Sequence, residues 1–262
     1  MGQGREAEIF AWGPGRVLRL ARTGALRDDI RREHVALQAA QRCGAPAPAV
    51  YEQIDVDGRP GLVLERLNAH DLLEGLVRRP WEVALLPWVL ARVQASLHGL
   101  AAPAELPELR AEVAGRLRSG LVPHALRDLA QRALQKLPDG DRLCHGDFHP
   151  GNVMRRSDGD YVLIDWKAAA RGDPAADVAR TRLLIVGAWI PGLGSRTLQR
   201  PLAPFRYALY ASYRAAYAHW HHLERGAVTA WLPVLAAARL SYDISQERAS
   251  LLAIAHRGLR GT

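Results

Sequence analysis

The chain has 262 residues, 48% of them hydrophobic, and a formal net charge of +8 at pH 7. That length supports one large domain or two packed lobes around a substantial core, while two distant cysteines, Cys43 and Cys144, argue against both a disulfide framework and a metal cluster. The positive charge comes from arginine, since Lys136 and Lys167 are the only lysines, and the arginines are spread at helical spacing among alanine and leucine without a dense basic run; solvated helix faces are therefore preferred to a nucleic-acid partner.

The start of the chain, Met1 to Glu6, lacks a basic-then-apolar leader pattern. Ala7 to Trp12 and Arg16 to Arg22 read as a hairpin around Gly13-Pro14-Gly15. Asp28 and Asp29 open a helix that runs to about Arg42 and is closed by Gly44 and Pro46. Val50 to Asp55 and Pro60 to Leu67 form a second hairpin around Asp57-Gly58. From Asp71 the pattern turns helical, with apolar residues three and four apart over Glu82 to Leu100, Leu106 to Arg118 and Ala125 to Leu137. Strand character returns at Leu143 to His145, Val153 to Arg156 and Tyr161 to Asp165. Helices follow at about Ala175 to Ala188, Phe205 to Glu224, Thr229 to Leu240 and Ser245 to Ala255. The most apolar stretch, Leu183 to Ile190, is too short to cross a bilayer, so no membrane is expected. The chain is expected in the cytoplasm. The sequence thus predicts an α+β lobe over residues 1–67 and a helical lobe with a short β insertion over 68–262.

Chemistry is concentrated in Cys144-His145-Gly146-Asp147-Phe148-His149-Pro150-Gly151-Asn152-Val153 and, after a hairpin, Val162-Leu163-Ile164-Asp165-Trp166. Phosphoryl transfer from ATP needs a carboxylate beside the attacking hydroxyl and oxygen ligands for magnesium. Asp147, Asn152 and Asp165 supply that set, at the spacing of a kinase catalytic loop followed by a metal-binding Asp at the end of an apolar strand. Asp147 is expected to orient the acceptor hydroxyl and take its proton late; Asn152 and Asp165 are expected to hold magnesium. His145 and His149 are read as structural supports. They are not read as zinc ligands, because only Cys144 is near and it adjoins His145.

These segments resemble the aminoglycoside phosphotransferase and choline kinase superfamily, whose loop reads His-Gly-Asp-x-His-x-x-Asn and whose metal motif reads Ile-Asp-Trp or similar. The resemblance spans about Gly4 to Asp177 and implies a bilobal protein-kinase-like fold, ATP or GTP as donor, magnesium, and a small-molecule alcohol as acceptor. It also implies roles in the first lobe. Arg19 stands where the family carries a phosphate-contacting lysine, and Glu33 is its partner on the next helix; Gly4 belongs to the phosphate-covering glycine loop; backbone groups of Glu65 and Leu67 would pair with adenine. An arginine at that lysine position presents a wide planar fork in place of a compact ammonium, and with the short glycine loop it keeps a non-catalytic nucleotide-binding protein as the alternative. An RNA-binding module is a weaker third reading. A protein kinase is disfavoured, since no Ala-Pro-Glu segment follows Asp165. Asp173 is expected to cap the next helix and Asp177 to brace the catalytic loop.

Beyond Asp177 the residues that build the acceptor pocket are expected. Tyr207, Tyr210, Tyr213, Tyr217 and Trp220 recur at helical spacing, as a core-facing stripe or, alternatively, an aromatic cage for a quaternary ammonium. Between Arg200 and Thr262 there are eight arginines against Glu224, Asp243 and Glu247. That balance favours a neutral, singly charged or anionic alcohol over a polycationic aminoglycoside.

Overall fold

The computed structural model describes residues 7–22, 27–190 and 194–260. Gly4, and with it the expected glycine loop, lies outside the described residues.

Strands β1 (Ala7–Ala11) and β2 (Arg16–Ala21) form the expected hairpin, and helix α1 (Arg27–Arg42) follows with Asp28 and Asp29 in its first turn, where carboxylates meet the free N–H groups. β3 (Val50–Val56) and β4 (Arg59–Glu65) complete an antiparallel sheet of order β1-β2-β4-β3. Their two-residue turn, Asp57-Gly58, holds both residues at positive φ (52° and 77°), the geometry that matches the twist of a tight hairpin. One face of the sheet packs Leu62 and Leu64 into the main core, while Leu18, Leu20 and Val63 form a small cluster on the other.

The chain then crosses into a second sheet. β5 (Ala69–Asp71) pairs with β7 (Val153–Arg156), which pairs with β8 (Tyr161–Leu163). β6 (Arg142–Cys144) pairs with β9 (Ala170–Gly172), placing Cys144 opposite Ala170. β5 and β9 were not expected from the sequence, because Ala-His-Asp and Ala-Arg-Gly lack the apolar residues that mark the equally short β6 and β8.

Helices form the rest. α2 (Leu72–Arg78) is capped by Asp71, whose carboxylate accepts the Leu73 and Glu74 N–H groups at 2.9 Å. The expected helix over Glu82 to Leu100 divides into a 3₁₀ turn (Pro80–Ala84) and α3 (Leu86–His98), with Pro87 in the first turn of α3, where its missing N–H costs nothing. α4 (Leu109–Leu117) starts later than expected because Pro107 disfavours helical backbone at Leu106. α5 (His124–Gln135) follows. α6 (Pro174–Arg182) widens into a π-helical turn (Leu183–Gly187), where the sequence predicted a continuous helix. Arg206 caps that turn, donating to the carbonyls of Leu184 at 3.1 Å, Ala188 at 2.8 Å, and Ile185. After a one-turn α7 (Arg196–Gln199) come α8 (Ala203–Trp220), α9 (Ala227–Arg239) and α10 (Ser245–Leu259).

α3 packs along α8, and α9 packs against α4, α5, α6 and α10. Its sequence, Ala-Val-Thr-Ala-Trp-Leu-Pro-Val-Leu-Ala-Ala-Ala-Arg, is apolar almost all round, as a core helix must be. Tyr213 and Tyr217 of α8 are fully buried, whereas Tyr207 and Trp220 are half exposed. The aromatic series is therefore a core stripe with outlying members, and no cage converges.

Candidate active site

β6 delivers the chain into the loop His145 to Asn152, and β8 delivers it to Asp165. Gly146 allows the two to meet. It holds φ 75°, and a Cβ there would lie 2.1 Å from the carbonyl oxygen of Ala168, so any side chain would separate the loop from the turn after Asp165.

His145 is fully buried between these segments. Its Nδ1 accepts the Asp147 N–H at 3.2 Å and its Nε2 donates to the Ile164 carbonyl at 3.1 Å, which fixes the neutral tautomer. Burial pushes its pKa down, in keeping with that state. The ring packs 4.9 Å from that of Trp166, whose indole N–H donates to the Leu163 carbonyl at 2.7 Å. His149 accepts the Gly151 N–H at 3.1 Å through Nδ1, and its Nε2 lies 3.9 Å from Asp147 Oδ2. Both histidines hold the loop, as the sequence suggested.

Asn152 ties the loop to itself, donating from Nδ2 to the Asp147 carbonyl at 2.9 Å and to Asp147 Oδ2 at 3.2 Å. Its backbone carbonyl accepts the Ile164 N–H at 3.0 Å, linking it to the strand that carries Asp165. Asp165 itself adopts the left-handed conformation (φ 61°, ψ 64°), at a cost of about 1–2 kcal/mol for a residue with a Cβ. Its Oδ1 is buried and has no hydrogen-bond partner among the described residues, while Oδ2 lies 3.8 Å from Lys167 Nζ. A strained residue with an orphaned carboxylate oxygen, beside an amide anchored through its nitrogen, leaves two hard oxygens ready for a divalent cation. Burial acts to raise the Asp147 pKa, but Arg180, with His149 and Arg239, outweighs it and holds the carboxyl below its usual range. Asp147 is therefore an anion at neutral pH.

Asp177 braces this loop from α6. Its carboxylate accepts the Gly146 N–H at 2.8 Å, the His145 N–H at 3.1 Å, Gln94 Nε2 at 3.0 Å and His98 Nε2 at 3.1 Å. Burial opposes ionisation there, yet these donors hold the pKa far below the carboxylate norm. His98 also meets Tyr217 Oη at 2.6 Å, and Tyr213 donates to Gln94. Gln94 and His98, four residues apart on α3, went unremarked in the sequence because nothing near them in the chain marks them as partners of Asp177. Asp173 caps α6 through the Ala175 N–H at 2.8 Å and accepts the Trp231 indole N–H at 2.7 Å.

His98, Cys144 and Asp177 bring donor atoms within 4.8 Å of one another, a grouping the sequence did not suggest. Both His98 nitrogens and the Asp177 carboxylate are already hydrogen-bonded, and burial pushes the Cys144 thiol well up, away from the thiolate a metal would need. The group works as a buried polar brace.

Arg19 of β2 and Glu33 of α1, expected from the sequence to serve the nucleotide, form an ion pair, Glu33 being buried. Burial, helped by the nearby Asp165 charge, pushes Glu33 up to about 7 despite Arg19. Glu65 ends β4; its N–H donates to the Ala49 carbonyl at 2.8 Å and its carboxylate pairs with Arg156 at 2.7 Å. Leu67 lies just beyond, in the segment between β4 and β5. Beside Asp147 opens a cleft of ≈ 730 Å³ that also reaches Arg180, Leu184, Phe205, Leu209 and Tyr242.

A profile of the phosphotransferase enzyme family matches residues 3–216. A hydroxyurea phosphotransferase from Kitasatospora aureofaciens is 36% identical over 137 residues, which is 48% of this chain and 39% of that protein, so the match spans well under half of the relative. Among solved structures, a choline/ethanolamine kinase family protein from Mesorhizobium loti superposes with a TM-score of 0.60 at 19% identity, covering 98% of this chain and 84% of that one. Choline kinase LicA from Streptococcus pneumoniae gives a TM-score of 0.63 at 14% identity, covering 100% and 90%. The catalytic loop, the orphaned Asp165 oxygen and the α+β, kinase-like architecture agree with that match: the chain belongs to the phosphotransferase enzyme family.

Proposed function

We propose that this chain transfers the γ-phosphoryl group of ATP, or of GTP, to a hydroxyl of a small molecule in a magnesium-dependent reaction in the cytoplasm. The observation that carries the reading is Asp147 held as an anion on a braced loop, with Asn152 bonded to it and the unpartnered Asp165 Oδ1 on the adjoining turn. Asn152 and Asp165 would hold magnesium, which when bound neutralises charge on the phosphate oxygens. Asp147 orients the acceptor O–H toward the phosphorus; as the new O–P bond forms and the nucleoside diphosphate leaves, the hydroxyl proton passes to its carboxylate. Arg19, positioned by Glu33, would contact the donor phosphates. Backbone groups of Glu65 and Leu67 would receive the adenine, and Gly4 would belong to the loop over the phosphates. A division into lobes after residue 67 suits the crossing of the chain from β4 to β5, which pairs with β7.

Relatives of the chain are named for hydroxyurea, choline and ethanolamine, and other structures of this fold are aminoglycoside phosphotransferases; all are named for small-molecule acceptors, which supports an acceptor of that class. Calorimetric titration of ATP with and without magnesium, followed by an assay of ADP release with a panel of small alcohols, tests the proposal. Acceptor-dependent ADP release that requires magnesium is expected. ATP binding without any acceptor-dependent turnover would favour the non-catalytic nucleotide-binding alternative.

A further inference from the structure

We propose that Arg116 and Arg180 form an anion-binding subsite in the cleft beside Asp147, and that the acceptor is a hydroxylated organic acid with an apolar body. This rests on the reading of the chain as an alcohol phosphotransferase. Most cations that line the cleft are already engaged. Arg32 pairs with Glu112 at 3.2 Å, Arg239 grips Glu247 at 2.7 and 3.1 Å, and Arg206 caps the π-helical turn. Lys167 sits by Asp165.

Arg116 of α4 and Arg180 of α6 differ. Among the described residues neither forms an ion pair with a carboxylate. Among the described residues the only side-chain hydrogen bond of Arg180 goes to Tyr242 Oη at 2.6 Å, and the Arg116 guanidinium makes none, its carbon lying 4.6 Å from the centre of the Tyr242 ring. Arg180 and Arg239 approach the same ring at 5.9 and 5.5 Å. Two partly buried guanidinium groups held near each other repel, Arg180 being offset in part by the charges of Asp147 and Asp177, and each has N–H donors to spare. A carboxylate between them would relieve the repulsion and accept charge-assisted hydrogen bonds in the paired geometry that arginine favours.

The remaining walls fix the rest of the ligand. Leu184, Ile185, Phe205 and Leu209 make the cleft largely apolar, so the group joining hydroxyl to acid is expected to be apolar too. Of the carboxylates that line the cleft, Asp147 is bonded to Asn152, and only the exposed Asp29 makes no ion pair or hydrogen bond among the described residues; the others in or near it are committed. Glu247 is held by Arg239 and the Trp189 N–H, Asp71 and Asp173 cap helices, and Glu74 pairs with Arg78.

The test uses matched hydroxy acids and their primary amides: lactate with lactamide, mandelate with mandelamide, tropate with tropamide. Each is assayed with magnesium and ATP for kcat/KM and titrated calorimetrically for Kd. The acids should be preferred over the amides by about tenfold or more, most clearly for the two that carry a phenyl group. Arg116→Gln should erase that preference, and Arg116→Lys should keep part of it. Equal use of acid and amide by the wild-type protein, or binding of neither, would overturn the proposal without reliance on any variant. So would a preference that survives both Arg116→Gln and Arg180→Gln, or an Arg116→Gln effect confined to the KM for ATP, which would assign the pair to the donor phosphates. Failure of the underlying phosphotransferase reading shows separately in the wild-type protein, as absence of magnesium-dependent ATP binding or as ATP binding with no turnover of any alcohol in the wider panel, acids and amides included.

Discussion

The loop from His145 to Asn152 and the cleft beside it share Asp147 but are built on opposite terms. In the loop nearly every polar group is satisfied: Asp177 alone gathers four donors, His145 joins Asp147 to Ile164, and Asn152 ties both ends together. Among the described residues, two guanidinium groups of the cleft lack carboxylate partners, and the one buried carboxylate oxygen without a hydrogen bond belongs to Asp165, on the turn after β8. Satisfied groups rigidify; unsatisfied ones wait for a ligand. On the proposed function, this separates the part that must be pre-positioned for any phosphoryl transfer from the part that would select what receives it.

That separation can be broken at several points. The largest effect is expected from Asp165→Ala, which removes a hard-oxygen ligand without touching the brace: turnover should fall by about 10²–10³-fold and the magnesium dependence of nucleotide binding should vanish, with little change in thermal unfolding. Nucleotide titrations across a magnesium series check this. Unchanged metal dependence would mean that the orphaned oxygen serves another purpose.

Asp177→Asn probes the rigid side and should act mainly on stability, by about 3 kcal/mol, because four donors lose a buried anion. The pH dependence has a definite sign. The folded-state pKa of Asp177 is depressed, so the stability it contributes is present above the usual carboxylate value near 4 and is lost as pH falls below it, where the unfolded chain binds the proton first. Urea unfolding over an acidic pH series should show a shallower slope for the variant than for the parent.

A smaller effect is expected on the nucleotide side. Arg19→Ala should raise the KM for ATP by about tenfold to a hundredfold, and Arg19→Lys should recover part of the loss, since the charge returns without the planar fork. An alanine variant with an unaltered KM would leave the Arg19–Glu33 pair as a strut between β2 and α1.

What could be read from the sequence follows the same division. Asp147, Asn152 and Asp165 lie within one short stretch whose spacing is dictated by the loop they form, and the first four strands and the long helices announce themselves by alternation, Asp-Gly turns and three-to-four spacing. Asp177 was recognisable as a brace because it follows the loop closely. Its partners Gln94 and His98 were not, since the contact joins α3 to α6 across some eighty residues. The same holds for Arg116, Arg180 and Tyr242, which come from three separate segments and share no local signature. The division of α6 into a helix and a π-helical turn also escaped, because Leu-Leu-Ile-Val reads as helix until Arg206, on another helix, takes the freed carbonyls.

The most direct test compares Asp147→Asn with the parent in two measurements on the same preparations: affinity for magnesium and ATP, and acceptor-dependent ADP release. The variant keeps the shape of the side chain and can still hydrogen-bond to Asn152, but it cannot take a proton from the acceptor. Nucleotide affinity should stay within about twofold while turnover falls by about 10²-fold. Turnover close to that of the parent would contradict the assignment of Asp147, and with it the account of how this loop performs phosphoryl transfer.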